Sequence, residues 1–79
     1  MSNLEKYENA FIVTFGVDKS ILINLKYQDI PEWDSVGHMA LMAFLEETFD
    51  IMMDTDDIID LSSYEKGMEI LSKNYDIEF

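Results

Sequence analysis

Two stretches of the 79-residue chain carry residue types at spacings that could do chemistry. The first is Trp33-Asp34-Ser35-Val36-Gly37-His38. An acid, a hydroxyl and an imidazole lie close together there, the components of a nucleophilic triad, and on a helix His38 neighbours Ser35 three residues on. A nucleophile elbow, however, needs Gly-x-Ser-x-Gly on a strand-to-helix turn. Trp33 stands at the first glycine position, no strand pattern precedes it, and nothing suggests an oxyanion hole. Hydrolysis is therefore disfavoured, and His38 reads as a half-buried, hydrogen-bonded side chain. The second stretch runs from Asp54 to Glu65. Asp54, Asp56 and Glu65 match three positions of a calcium loop, but Ile58 replaces an oxygen ligand and Ile59 replaces the glycine of the turn. The match is read as chance. What remains is Ser35 itself. A hydroxyl at a helix start is exposed, and the helix dipole there favours an attached anion. Ser35, following an acid at a helix start, is weighed as a point of covalent attachment. The competing account is that Asp34 or Ser35 only caps the helix, worth about 1 kcal/mol.

Composition narrows the classes. The chain has no cysteine and one histidine, which removes disulfides and thiolate metal sites and argues against structural zinc. With 48% apolar residues, one core is expected and disorder is not. No apolar run approaches the ~20 residues of a membrane span, and Met1-Ser2-Asn3-Leu4-Glu5 lacks the pattern of a signal peptide. A single cytoplasmic domain over residues 1–79 is expected. The net charge of −12 repels phosphate backbones, so nucleic-acid binding is excluded. The charge is also lopsided. Glu5, Glu8 and Asp18 balance Lys6, Lys19 and Lys26 up to residue 26, whereas the remaining fourteen acids face only Lys66 and Lys73. That field would steer basic protein surfaces towards the later part of the chain; the plainer account is a solubilising surface.

Four helices are expected to position these residues. Leu4, Tyr7, Phe11 and Phe15 form an apolar stripe over residues 3–16, with Ser2 or Asn3 as cap and Gly16 as stop. Residues 17–34 read as a long ordered loop. Ile21-Leu22-Ile23-Asn24-Leu25 has strand propensity but no partner strand, so Ile21, Leu22, Ile23 and Leu25 are expected to supply core contacts from a loop or helical turn. The central helix covers 35–50. His38, Leu41, Met42, Leu45 and Phe49 share one face, and Val36, Ala40, Ala43 and Glu47 the other. That outer face is small and apolar where a solvated face would be charged, which suggests docking on partner proteins rather than burial on two sides. Asp54 or Thr55 starts a short third helix. Ser62 or Ser63 starts the last, over 62–75, with Tyr64, Met68, Leu71 and Tyr75 inward and Gly67 allowing close approach. The tail Asp76-Ile77-Glu78-Phe79 is expected to fray.

The conjunction of Asp34-Ser35-Val36 midway along an acidic chain, the later residues Leu41, Leu45, Phe49, Ile51 and Met53, and the segments Asp54-Thr55-Asp56-Asp57-Ile58 and Leu61-Ser62-Ser63-Tyr64 resembles the acyl carrier protein family over nearly the whole length. The resemblance implies an all-α four-helix bundle with a long loop between helices 1 and 2 and a short third helix. It implies 4′-phosphopantetheine attached to Ser35, with Asp34 and Val36 as recognition flanks for the phosphopantetheinyl transferase. It further implies a likeness to monomeric, non-catalytic carriers that present thioesters to acyl-transferring, condensing or ligase enzymes with basic patches, in fatty acid, polyketide or other biosynthesis. Val36, Ala40, Ala43 and Glu47 would then be the docking face. Glu32-Trp33 replaces the glycine-containing segment usual before Asp-Ser in fatty-acid carriers, and Gly37 and Ala40 stand where that class often has acids. The Trp-Asp-Ser-x-Gly-His pattern is more similar to stand-alone carriers of specialised pathways, and Trp33 is expected to anchor the long loop. Met39, Met42, Met53 and Met68 would suit the sheltering of an acyl chain, or simply fill the core. Two further readings stay open: an aminoacyl or peptidyl carrier, and an acidic protein-interaction module in which Ser35 is only a cap.

Overall fold

In the computed structural model, which describes residues 1–79, three of the four α-helices start on a side chain that accepts a free backbone N–H. Helix α1 spans Asn3–Phe15. Ser2 accepts from Glu5 N–H, and Glu5 returns the bond to Ser2 N–H, a reciprocal capping box. Gly16 ends the helix at φ +66°, a left-handed conformation that costs glycine nothing. Helix α2 spans Ser35–Phe49, α3 Thr55–Asp60 and α4 Tyr64–Asn74. There are no strands; one isolated bridge joins Lys26 and Ser63.

The stretch with strand propensity folds instead as a 3-10 helix over Lys19–Asn24, capped by Asp18. This corrects part of the expected core. Three residues per turn put Leu22 and Leu25 on one side, and both are buried, while Ile21 and Ile23 point outward at 42% and 55% exposure. The chain then pairs with the start of α4. Tyr27 N–H donates to Ser62 C=O and Tyr64 N–H to Leu25 C=O, both at 2.9 Å. A backbone that lacks a strand partner thus still finds acceptors across the fold.

Sixteen buried side chains form one core. Tyr7, Ala10, Phe11 and Phe15 of α1 meet Leu41, Met42 and Leu45 of α2 and Tyr64, Ile70 and Leu71 of α4. Leu4 of the expected stripe stays 37% exposed, and Ile70 replaces Met68 and Tyr75 as a fully buried residue of α4. Tyr7 carries its hydroxyl into this core and donates to Tyr64 C=O at 2.6 Å. Burial pushes the Tyr7 phenol well above its ordinary range. A side chain at Gly67 would overlap that hydroxyl, so the glycine is what lets α4 seat against α1. The radius of gyration, 11.3 Å, matches the about 11.6 Å expected for a compact chain of this length.

The C-terminal tail does not fray. Ile77 is buried and its N–H donates to Leu71 C=O at 3.2 Å. Phe79 sets its ring edge-on to Tyr7 at 5.2 Å, and Asn3 Nδ2 donates to Glu78 C=O at 3.0 Å. Two apolar residues among the last three outweigh the freedom of a chain end.

Candidate functional site

The start of α2 assigns a separate task to each residue of the Trp-Asp-Ser-Val-Gly-His stretch. Trp33 is wholly buried among Phe11, Phe15 and Tyr27, with ring centroids 5.2–6.3 Å apart. It anchors the long loop, as expected. Asp34 is the cap: its Oδ1 accepts Gly37 N–H at 2.8 Å and its carbonyl accepts His38 N–H at 2.8 Å. Ser35 follows as the first residue of the helix. It is exposed, and its hydroxyl makes no hydrogen bond within the chain. The N–H groups of Ser35 and Val36 also lack an acceptor, as the first donors of a helix do. Val36 is 77% exposed beside them.

Gly37 has a role that composition did not reveal. A β-carbon there would overlap the Glu32 carbonyl oxygen and press on the Phe15 ring at 3.3 Å. The missing side chain lets the loop before Ser35 lie directly on the first turn of α2. His38 completes the attachment from the other side. Its Nδ1 accepts from Trp33 Nε1 at 2.9 Å, which leaves Nε2 to carry the hydrogen and donate to Ile58 C=O at 2.7 Å. The two rings lie nearly coplanar, 13° apart and edge to edge across that bond, with centroids 6.2 Å apart. One histidine therefore ties the loop, α2 and α3 together. No hydrogen bond joins it to Ser35, and with Asp34 engaged at Gly37 the three residues form no relay.

Helix α3 is the lightly held element. Asp54 occupies its cap position but makes no side-chain cap bond, and none of its residues is fully buried. Besides the His38 bond to Ile58, the helix is braced by Asn74 Nδ2, which donates to Asp57 Oδ1 at 3.0 Å, and by Tyr75, whose hydroxyl donates to Asp57 Oδ2 and accepts Asp54 N–H, both at 2.7 Å. Partial burial raises the Tyr75 phenol above its ordinary value, and the Asp57 carboxylate acts in the same direction. Asp54, Asp56 and Glu65 do not converge with other acids into a group able to hold a metal ion.

Between α2 and α3 lies an open groove of about 340 Å³. Ser35 is at its edge, with Tyr27, His38, Met39, Ile59 and Leu61 as its main lining. Ile59, 71% exposed, enters the sequence reading only as a mismatch to a calcium loop, and Tyr27 not at all. A signal was present in Ile58-Ile59: adjacent positions of a short helix cannot both face a core. On α2, Val36, Ala40, Ala43 and Glu47 are all exposed on the outer side, so this helix is not buried twice over. Glu46 differs from Glu47. It is half-buried and its Oε2 accepts Met53 N–H at 2.8 Å, which commits it to the fold. The methionines also divide. Met42 and Met53 are packed in the core, Met68 is half-buried, and Met39 stands 55% exposed at the groove. No helix is long and apolar enough to cross a membrane. Comparisons with models of known families, with curated proteins and with solved structures find no match to this chain.

Proposed function

We propose that this chain is an acyl-carrier-type protein: a helical bundle that carries acyl or related intermediates on a 4′-phosphopantetheine arm attached to Ser35. One observation carries the reading. The capping of α2 is performed by Asp34, which leaves the Ser35 hydroxyl exposed and unengaged at the helix start. A serine present only as a cap would hold the bond that Asp34 holds.

The surroundings fit an anionic arm. The unpaired N–H groups of Ser35 and Val36 and the dipole of a 15-residue helix favour a phosphodiester on that hydroxyl. When attached, the arm supplies a thiol on which cargo is held as a thioester. The chain's own residues do the rest. Asp34 and Gly37 fix the turn that displays Ser35; Val36, Ala40, Ala43 and Glu47 offer an apolar face with an acidic end to a modifying or cargo-handling enzyme. Exposed acids on α3, Asp56 and Asp60, extend the negative field next to the groove. Basic patches on partner enzymes would meet it with fast, salt-sensitive association. In this reading the chain is a substrate and vehicle, and catalysis belongs to its partners.

The test is direct. The apo protein is incubated with coenzyme A, magnesium and a broad phosphopantetheinyl transferase, and its intact mass is recorded. The expected result is a gain of one phosphopantetheine that disappears in Ser35→Ala. No gain with several transferases would leave a non-covalent acidic interaction module as the better reading.

A further inference from the structure

The interior of the bundle and the groove outside it set a limit on cargo. None of the four concavities of the molecule is enclosed; each opens to solvent. The space between the helices is filled by aromatic rings on the side of α1 and the loop, and by aliphatic side chains such as Leu41, Leu45, Leu61 and Leu71 elsewhere. Phe11 meets Tyr7, Phe15, Trp33 and Tyr64 at centroid separations of 5.0–6.0 Å, and Trp33 stacks on Phe15 at 5.2 Å. Trp33 is the largest fully buried side chain, and it lies immediately behind the groove that starts at Ser35.

The passage from that groove to the core is also shut. Trp33 Nε1–H, the His38 ring and the Ile58 carbonyl are hydrogen-bonded in series across the gap between the loop, α2 and α3, at 2.9 and 2.7 Å. A chain threading inward past His38 would break both bonds and leave a buried indole N–H without an acceptor, a cost that apolar contact must first overcome. Leu61, fully buried, closes the floor beside them.

The groove itself is small. A dry cavity of about 150 Å³ accepts one benzene ring. A groove of about 340 Å³ therefore takes roughly two such groups, on the order of a dozen non-hydrogen atoms. Its walls, Met39 and Ile59, are apolar and exposed, while Tyr27 and Ser62, whose hydroxyls make no hydrogen bond within the chain, add polar residues to the lining. That is a lining for a compact group with a polar substituent.

Resting on the carrier reading, we propose that the cargo borne from Ser35 is a short acyl or aminoacyl-sized group accommodated at the Tyr27–Met39–Ile59 groove, and that long acyl chains are not stored between the helices. The experiment uses the whole chain. A broad transferase loads it from acetyl-, butyryl-, octanoyl- and palmitoyl-coenzyme A, with intact mass verifying each product. The single tryptophan gives one indole N–H resonance, which reports on the core directly. The methyl resonances of Met39 and Ile59 report on the groove. The expected outcome is that acetyl and butyryl groups shift Met39 and Ile59 alone. Palmitoyl loading should leave the Trp33 resonance in place, and hydroxylamine should cleave its thioester as fast as the acetyl thioester. A displaced Trp33 resonance together with slowed cleavage of the palmitoyl thioester would overturn the cargo proposal while leaving the carrier reading intact. Absence of any mass gain at Ser35 would overturn the carrier reading and the cargo proposal with it.

Discussion

Replacing Gly37 by alanine puts the geometry of the site to a test whose sign is informative. In an ordinary helix interior, glycine to alanine stabilises by up to about 1 kcal/mol through propensity. Here the added methyl would overlap the Glu32 carbonyl oxygen and crowd Phe15 at 3.3 Å. The carbonyl belongs to backbone, and the residue after it is the fully buried Trp33, so the strain has no flexible side chain to absorb it. Inserting a methyl into a packed contact costs about 1–3 kcal/mol. Moving Glu32 also disturbs the cap, because Asp34 is two residues on and accepts the Gly37 N–H itself; a lost cap adds about 1 kcal/mol. After the propensity gain, the net destabilisation is expected to be about 1–3 kcal/mol. For a domain of this size that lowers the melting midpoint by roughly 5–20 °C. Thermal melts followed by far-UV circular dichroism measure it, and the fluorescence of the single tryptophan reports whether the loop moves. Ser35 modification by a transferase should slow in the folded variant, since the turn displaying the hydroxyl is displaced. A melting midpoint that rises, as alanine in a free helix would produce, would refute the close-approach role of Gly37.

Three further expectations follow from the same contacts. Asp34→Ala should cost about 1 kcal/mol through loss of the α2 cap, whereas Ser35→Ala should stay within about 0.5 kcal/mol of the parent; chemical denaturation of both compares them, and the opposite order would make Ser35 the cap. Ala40→Arg and Glu47→Lys alter exposed positions of α2 and should leave the melting midpoint nearly unchanged while reducing turnover by a transferase, and unchanged turnover in both would remove the docking role of this face. Burial raises Tyr64 from an ordinary 10.0 to about 12 and Tyr7 also upward, so their neutral forms stabilise the fold fully below about pH 10. That contribution should be lost as pH rises from there through about 12, and Tyr64→Phe should flatten the alkaline limb of a stability-against-pH curve.

Where the fold was legible in sequence, the signals were local. Ser2 with Glu5, Gly16, and Ser63 before Tyr64 are cap residues whose partners sit three or four positions away, and the helices begin and end there. The residues 19–25 were harder because their apolar run fits several periods. Only the 3-10 repeat, with Leu22 and Leu25 inward, satisfies both the short helix and the pairing of Leu25 and Tyr27 with residues 62–64. That pairing joins segments almost forty residues apart, and nothing in the run itself marks it. The tail is hard to read for a related reason. Ile77 and Phe79 look like a loose end until α1 and α4 supply the surface that buries Ile77 and sets the Phe79 ring, still 39% exposed, against Tyr7.

The start of α2 shows the same division within six residues. The cap, which residue type leaves open between Asp34 and Ser35, falls to Asp34; Ser35 as an exposed hydroxyl and Trp33 as an anchor follow from residue type and helix position alone. Gly37 does not, because the atom that excludes a side chain there, the Glu32 carbonyl oxygen, comes from a loop whose path is fixed by Trp33 and Tyr27. His38 is intermediate. Its helical position puts it beside the core, yet its two partners, Trp33 and Ile58, are set only when the loop and α3 close on it from opposite sides. The consequence is mechanical. The indole, the imidazole and the α3 carbonyl hold the groove wall, so a change at any one of them alters the shape of the surface beside Ser35 without touching the serine. Substitutions at Trp33, His38 or Ile59 can then reshape this surface while the Asp34–Ser35 turn, capped at Gly37, stays constant.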